Sequence, residues 1–175
     1  MPPLADTNTP GPPTARPAGL RCHVILVGLP GSGKSCVGRR VAKLLSRPFV
    51  DFHAEIERRS GLTVSRIFQE RGESHFRSLE RQLTEELAAS PAAILAPGGG
   101  WITVPGALAL LRPPARMIYL RVAPEVAILR MGRRRAVRPL LHVPDPLAAL
   151  RKLLAAREAA YRTADHVVDT DLVSL

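Results

Sequence analysis

The chain has 175 residues, of which 46% are hydrophobic and only 4% aromatic, with a formal net charge of +10. That length suits one domain with a full core, built here from Leu, Val, Ile and Ala. No apolar run approaches the ~18 residues a membrane span needs, and the aromatics are too few and scattered to stack bases, so a membrane protein or a nucleic-acid binder is not expected and the charge points to small anionic ligands.

Residues 1–20 are Pro-rich and lack an apolar h-region, so they read as a disordered tail rather than a secretory signal. The folded domain is expected over 21–175. Cys22 and Cys36 have neither metal-ligand nor redox spacing, which fits a reducing, cytoplasmic setting. Cys22 to Val27 is an apolar, β-rich stretch. It runs into Gly28-Leu29-Pro30-Gly31-Ser32-Gly33-Lys34-Ser35, a complete Gly-x-x-x-x-Gly-Lys-Ser phosphate loop. Beyond it Val37, Val41, Leu44 and Leu45 recur at helical spacing. Strand, loop and helix therefore follow in the order the motif requires. Its glycines let backbone N–H groups turn around phosphate oxygens, and the helix adds its positive end. Lys34 supplies a charge for the β- and γ-phosphates, and Ser35 a hydroxyl for Mg²⁺.

A short second strand is predicted over Arg47 to Phe52. A helical stretch follows over 53–89, broken at Ser60-Gly61 and near Gly72. Ala92 to Ala96 reads as a buried strand ended by Pro97-Gly98-Gly99-Gly100, and a short helix is predicted near Val104 to Leu111. Arg116 to Val122 is the next strand, and Pro124 opens a helix. Gly132 to Pro146 is a basic loop, Leu147 to Tyr161 a long helix, and His166 to Asp169 a last strand. This alternation predicts a parallel α/β sheet, whose ligands bind beyond the carboxyl ends of the strands. The segments 28–35, 51–53 and 98–100 each follow a strand, so one sheet edge is expected to carry them all.

With these blocks in place, the chain resembles the shikimate kinase family of P-loop kinases over roughly residues 22–170. The resemblance rests on Gly28–Ser35, Val50–Glu57, Phe76–Glu80, Gly98–Gly100, Val137-Arg138-Pro139-Leu140-Leu141, and Arg157 before Tyr161. It implies a three-layer fold, with a five-stranded parallel sheet flanked by helices, substrate-binding helices over about 53–89 and a mobile lid over about 131–146. It also implies a monomer that uses ATP and Mg²⁺ to phosphorylate the 3-hydroxyl of shikimate. By this match ATP would be held by Gly31, Ser32, Gly33, Lys34, Ser35, Cys36, Arg130 and Arg138, and the metal by Ser35 and Asp51. Asp51 also suits a helix N-cap. Arg77 and Arg157 match the arginines that grip the substrate carboxylate, for which a planar guanidinium is suited. Locally, Arg77 reads equally as a helix partner of Glu80, and Arg157 as a solvated residue beside Glu158. Gly98, Gly99 and Gly100 would let backbone approach the substrate. Arg138 would close over the γ-phosphate, while Arg133, Arg134 and Arg135 read as solvated surface. Arg130 matches an arginine near adenine, with a spacing to Arg138 one residue longer than in some relatives.

The chain departs from the family at His53, where a second aspartate is expected to hold substrate hydroxyls and act as base. An imidazole offers one acceptor instead of two carboxylate oxygens. Lys34, Asp51, His53 and Arg138 are the expected catalytic set. The alternatives are a kinase for a related carboxylated cyclitol or a secondary-metabolite polyol, and a nucleotide-binding regulator without turnover.

Overall fold

Strand β1 (Val24–Val27) is buried along its whole length, because it lies at the centre of the sheet with helices on both faces. Its residues alternate between two cores. Val24 and Leu26 pack with Ala42, Val37 and Val41 of α1 (Lys34–Leu45). Ile25 and Val27 join the larger core on the opposite face. The computed structural model describes residues 22–132, 141 and 143–172. The predicted tail, and Arg133, Arg134, Arg135 and Arg138 of the predicted lid, lie outside the described residues.

The other strands are β2 (Phe49–Asp51), β3 (Ile94–Ala96), β4 (Arg116–Arg121) and β5 (His166–Asp169). They form one five-stranded sheet in the order β2-β3-β1-β4-β5, and every pairing is parallel. The larger core is closed by α2 (Phe52–Ser60), α3 (Val64–Ala88), α4 (Ala107–Leu111), α5 (Pro124–Met131) and α6 (Pro146–Tyr161). This is the predicted α/β architecture. No helix among the described residues is long and apolar enough to cross a membrane.

Local chemistry explains where predicted boundaries moved. The second strand begins only at Phe49, after Pro48, which has no N–H for a ladder. Phe52 leaves the strand because Asp51 caps α2, its side chain accepting from the backbone N–H groups of His53 and Ala54. The two predicted breaks in the 53–89 helix are both present. Gly61 ends α2 with φ 67°, and Gly72 interrupts α3 with φ 80° and ψ 170°. The predicted helix near Val104 divides into a 3-10 turn over Trp101–Thr103 and the short α4, separated by Pro105 and Gly106. The first ladder pair is Val24 with Ile94, not Cys22. His23 is buried and bridges two elements instead. Its Nδ1 accepts from the Ala93 N–H, and Nε2 donates to the Leu87 carbonyl.

Candidate active site

The register sets Asp51 at the end of β2 opposite Ala96 at the end of β3, and β3 pairs with β1. The loops after these three strands therefore meet at one edge, as predicted. After β1 the chain turns through Gly31 and Gly33 with φ of 85° and 94°, values that L side chains rarely adopt. Gly33 is the N-cap of α1, so the loop ends directly in the helix's positive end. Lys34 folds back over the loop, its Nζ donating to the Gly28 and Leu29 carbonyls at 2.9 Å each. Ser32 is fully buried, and its Oγ has no hydrogen-bond partner among the described residues. Cys36 is a half-buried free thiol in the first turn of α1.

Ser35 and Asp51 come together across this edge. Ser35 Oγ donates to Asp51 Oδ2 at 2.5 Å, while Asp51 Oδ1 accepts from the His53 N–H at 3.1 Å. Asp51 caps α2 as expected through Oδ1, while Oδ2 faces the phosphate loop. Two hard oxygen donors side by side are a fit for a divalent cation of the Mg²⁺ type.

Across the glycine turn lies a second cluster of charged side chains. Arg77 on α3 donates to Glu80 at 2.5 Å and to Glu73 at 2.7 Å, and its guanidinium lies 5.6 Å from the Phe76 ring centroid. Glu80 is completely buried, and burial pushes its carboxyl above the usual range against the pull of Arg77. Glu80 Oε1 has no hydrogen-bond partner among the described residues. Arg157 on α6 is buried, with only 7% of its surface exposed. Its positive charge, like that of Arg77, favours the ionised form of the Glu80 carboxyl.

The glycine turn after β3 fits against all of these groups. A Cβ on Gly98 would stand 2.6 Å from both Glu80 Oε1 and His53 Nε2. One on Gly100 would stand 2.2 Å from an Arg77 guanidinium nitrogen. One on Gly99 would stand 3.2 Å from the Gly28 carbonyl oxygen. The turn thus touches the Arg77–Glu80 pair on one side and the phosphate loop on the other, and the close approach explains the three glycines better than flexibility does. His53 packs edge-on against Phe76, with ring centroids 5.6 Å apart.

Arg130 is placed differently from the rest. It lies on α5 and donates to the Thr170 hydroxyl at 3.2 Å and to the Thr170 carbonyl, tying α5 to the end of β5.

The family model described as shikimate kinase matches residues 30–174. The chain belongs to the shikimate kinase family. A shikimate kinase of Desulforudis audaxviator is 45% identical over 87% of this chain and 80% of its own length. One of Paracidovorax citrulli is 42% identical over 86% of this chain and 82% of its own. A solved shikimate kinase from Acinetobacter baumannii, in complex with shikimate, superposes with a TM-score of 0.82 at 38% identity, covering 87% of this chain and 85% of that one.

Two contacts of this shikimate kinase family member were not predicted from the sequence. Tyr161 is fully buried, and its hydroxyl donates to the Gly99 carbonyl at 2.5 Å. Trp101 donates through Nε1 to Thr84 Oγ1, which donates to the Glu80 carbonyl, anchoring the glycine turn to α3. The spacing of Tyr161 four residues after Arg157, on one helix face, was the available signal for the first. Nothing local marks Thr84 as the partner of the chain's single tryptophan.

The geometry of the turn makes a direct prediction. Gly98→Ala will force both His53 and Glu80 to move, because the new methyl meets them at once. Steady-state kinetics will show an acceptor KM raised by on the order of tenfold, with the KM for ATP nearly unchanged.

Proposed function

We propose that the chain transfers the γ-phosphoryl group of ATP to the 3-hydroxyl of shikimate, giving ADP and shikimate 3-phosphate. The observation that carries this reading is the convergence of Arg77 and Arg157 beside the glycine turn, directly against a phosphate loop. That arrangement suits an acceptor with a carboxylate at one end and a hydroxyl held near the γ-phosphate.

In this reading the loop N–H groups of Gly31 to Ser35, with Lys34, hold the phosphates, and Lys34 leaves the Gly28 and Leu29 carbonyls to follow the transferring group. Ser35 and Asp51 would hold Mg²⁺, which neutralises phosphate charge when bound. Arg77 and Arg157 take the acceptor carboxylate through paired N–H donors. His53 stands at the hydroxyl end, where a neutral imidazole accepts the hydroxyl proton as the oxygen bonds to phosphorus and the bond from phosphorus to the leaving ADP oxygen breaks. Arg138 would supply lid charge to the transition state, Arg130 would lie near the adenine, and Cys36 would border the nucleotide. Phosphoryl transfer depends more on positioning and charge than on a strong base, so an imidazole in place of a carboxylate is compatible with turnover.

His53 itself favours a second reading. A substrate whose hydroxyl end differs from that of shikimate, on a related carboxylated cyclitol, would suit one acceptor atom better than two. A coupled ADP-release assay across shikimate, quinate and aminoshikimate, with wild type and His53→Asp, separates the two. The proposal expects shikimate to be turned over with the highest kcat/KM, and His53→Asp to raise it. Loss of shikimate turnover in a folded His53→Asp protein would show that this site is adapted to another hydroxyl pattern.

A further inference from the structure

We propose that Tyr161 is a positioning residue for acceptor binding: its hydroxyl accepts from Arg157 and donates to the Gly99 carbonyl, fixing the guanidinium against the glycine turn. The inference rests on the reading of Arg157 as part of the carboxylate grip and extends it to the group that aims that arginine.

A phenol has one O–H donor and lone pairs to accept with. Here the donor is committed to the Gly99 carbonyl, which leaves the oxygen's lone pairs for Arg157, one helical turn earlier on the same buried face of α6. Both side chains project from the same face of α6, four residues apart. The phenol cannot swing away, because its ring is fully buried and stacks on Tyr119 at 5.1 Å between centroids and 27° between planes. Burial also pushes the hydroxyl up to about 12, so it stays a donor across the working pH range.

Arg157 needs such a partner. Its guanidinium has five N–H donors in a fixed fork, and it sits buried near Glu80. With no phenol oxygen to hold one edge, the fork would turn toward the Glu80 carboxylate, and its free edge would no longer face a ligand. Gly99 lies against Gly28 and Pro30, so the carbonyl that Tyr161 holds belongs to the residue separating acceptor pocket from loop.

The test is Tyr161→Phe, which keeps the ring and its stack on Tyr119 and removes only the oxygen. The acceptor KM is expected to rise about tenfold, the loss typical of a hydrogen bond to a charged group. The KM for ATP should stay within twofold. In an Arg157→Lys background the same substitution should add less than twofold, because the group it aims is gone. A second readout needs no substrate. In a ¹⁵N–¹H spectrum the Arg157 Nε–H signal, assigned by its loss in Arg157→Lys, should exchange slowly in wild type and broaden in Tyr161→Phe. An unchanged acceptor KM, or an unmoved Arg157 signal in the Phe protein, overturns the proposal. So does a fast-exchanging Arg157 signal in wild type, which decides the matter even if the Phe protein does not fold. If wild type fails to phosphorylate shikimate, the functional reading falls, and the Arg157 signal alone then judges the role of Tyr161.

Discussion

Replacing Lys34 by alanine will abolish turnover, by at least about 10³-fold in kcat, in a protein that remains folded. The side chain now caps the Gly28 and Leu29 carbonyls, which a nucleotide phosphate would draw it away from. Its loss removes the part-buried hydrogen bonds to the Gly28 and Leu29 carbonyls, worth about 1 kcal/mol each, and the melting temperature should fall by a few degrees. Catalysis depends on it far more, because the ammonium is the mobile charge that follows the γ-phosphate as it leaves ADP. The check is kcat from ADP release alongside a thermal melt. A folded Lys34→Ala protein with wild-type activity would contradict the kinase reading.

Arg77→Lys will raise the acceptor KM by on the order of 10²-fold while leaving the ATP KM nearly unchanged. Lysine keeps a positive charge but loses the planar fork. In this pocket the fork has several simultaneous tasks: it pairs with the buried Glu80 and with Glu73, lies over Phe76 and abuts Gly100. An ammonium satisfying Glu80 has no second edge to offer a ligand carboxylate. The measurement varies shikimate and ATP separately. A rise in the ATP KM alone would move Arg77 out of the acceptor site.

The phosphate loop and the order of strands and helices were legible because both are local patterns. Eight consecutive residues carry the loop, and apolar periodicity marks the helix after it. Even the breaks at Gly61 and Gly72 are visible as glycines within helical sequence. The environment of Arg157 was not legible from local pattern. It stands beside Glu158 on a helix with charged neighbours, and its burial comes from the packing of α6 on the rest of the fold. Glu80 shows the same limit. Its spacing from Arg77 predicts a pair, yet its full burial emerges only when α3 and the glycine turn close on each other. The squeeze on Gly98 has the same origin, since His53, Glu80 and Gly98 come from three separate segments. Arg130 was placed by resemblance, and its contact with Thr170 depends on where β5 ends, which no local pattern encodes.

The most direct test of the account is the position of the phosphate on the product. Purified full-length protein would be incubated with ATP, Mg²⁺ and shikimate, and the product read by ³¹P–¹H correlation. The account predicts one phosphomonoester, coupled to the proton on carbon 3, formed in step with ADP and absent with Lys34→Ala. ADP release with no phosphorylated shikimate, or a phosphate on another hydroxyl, would contradict it.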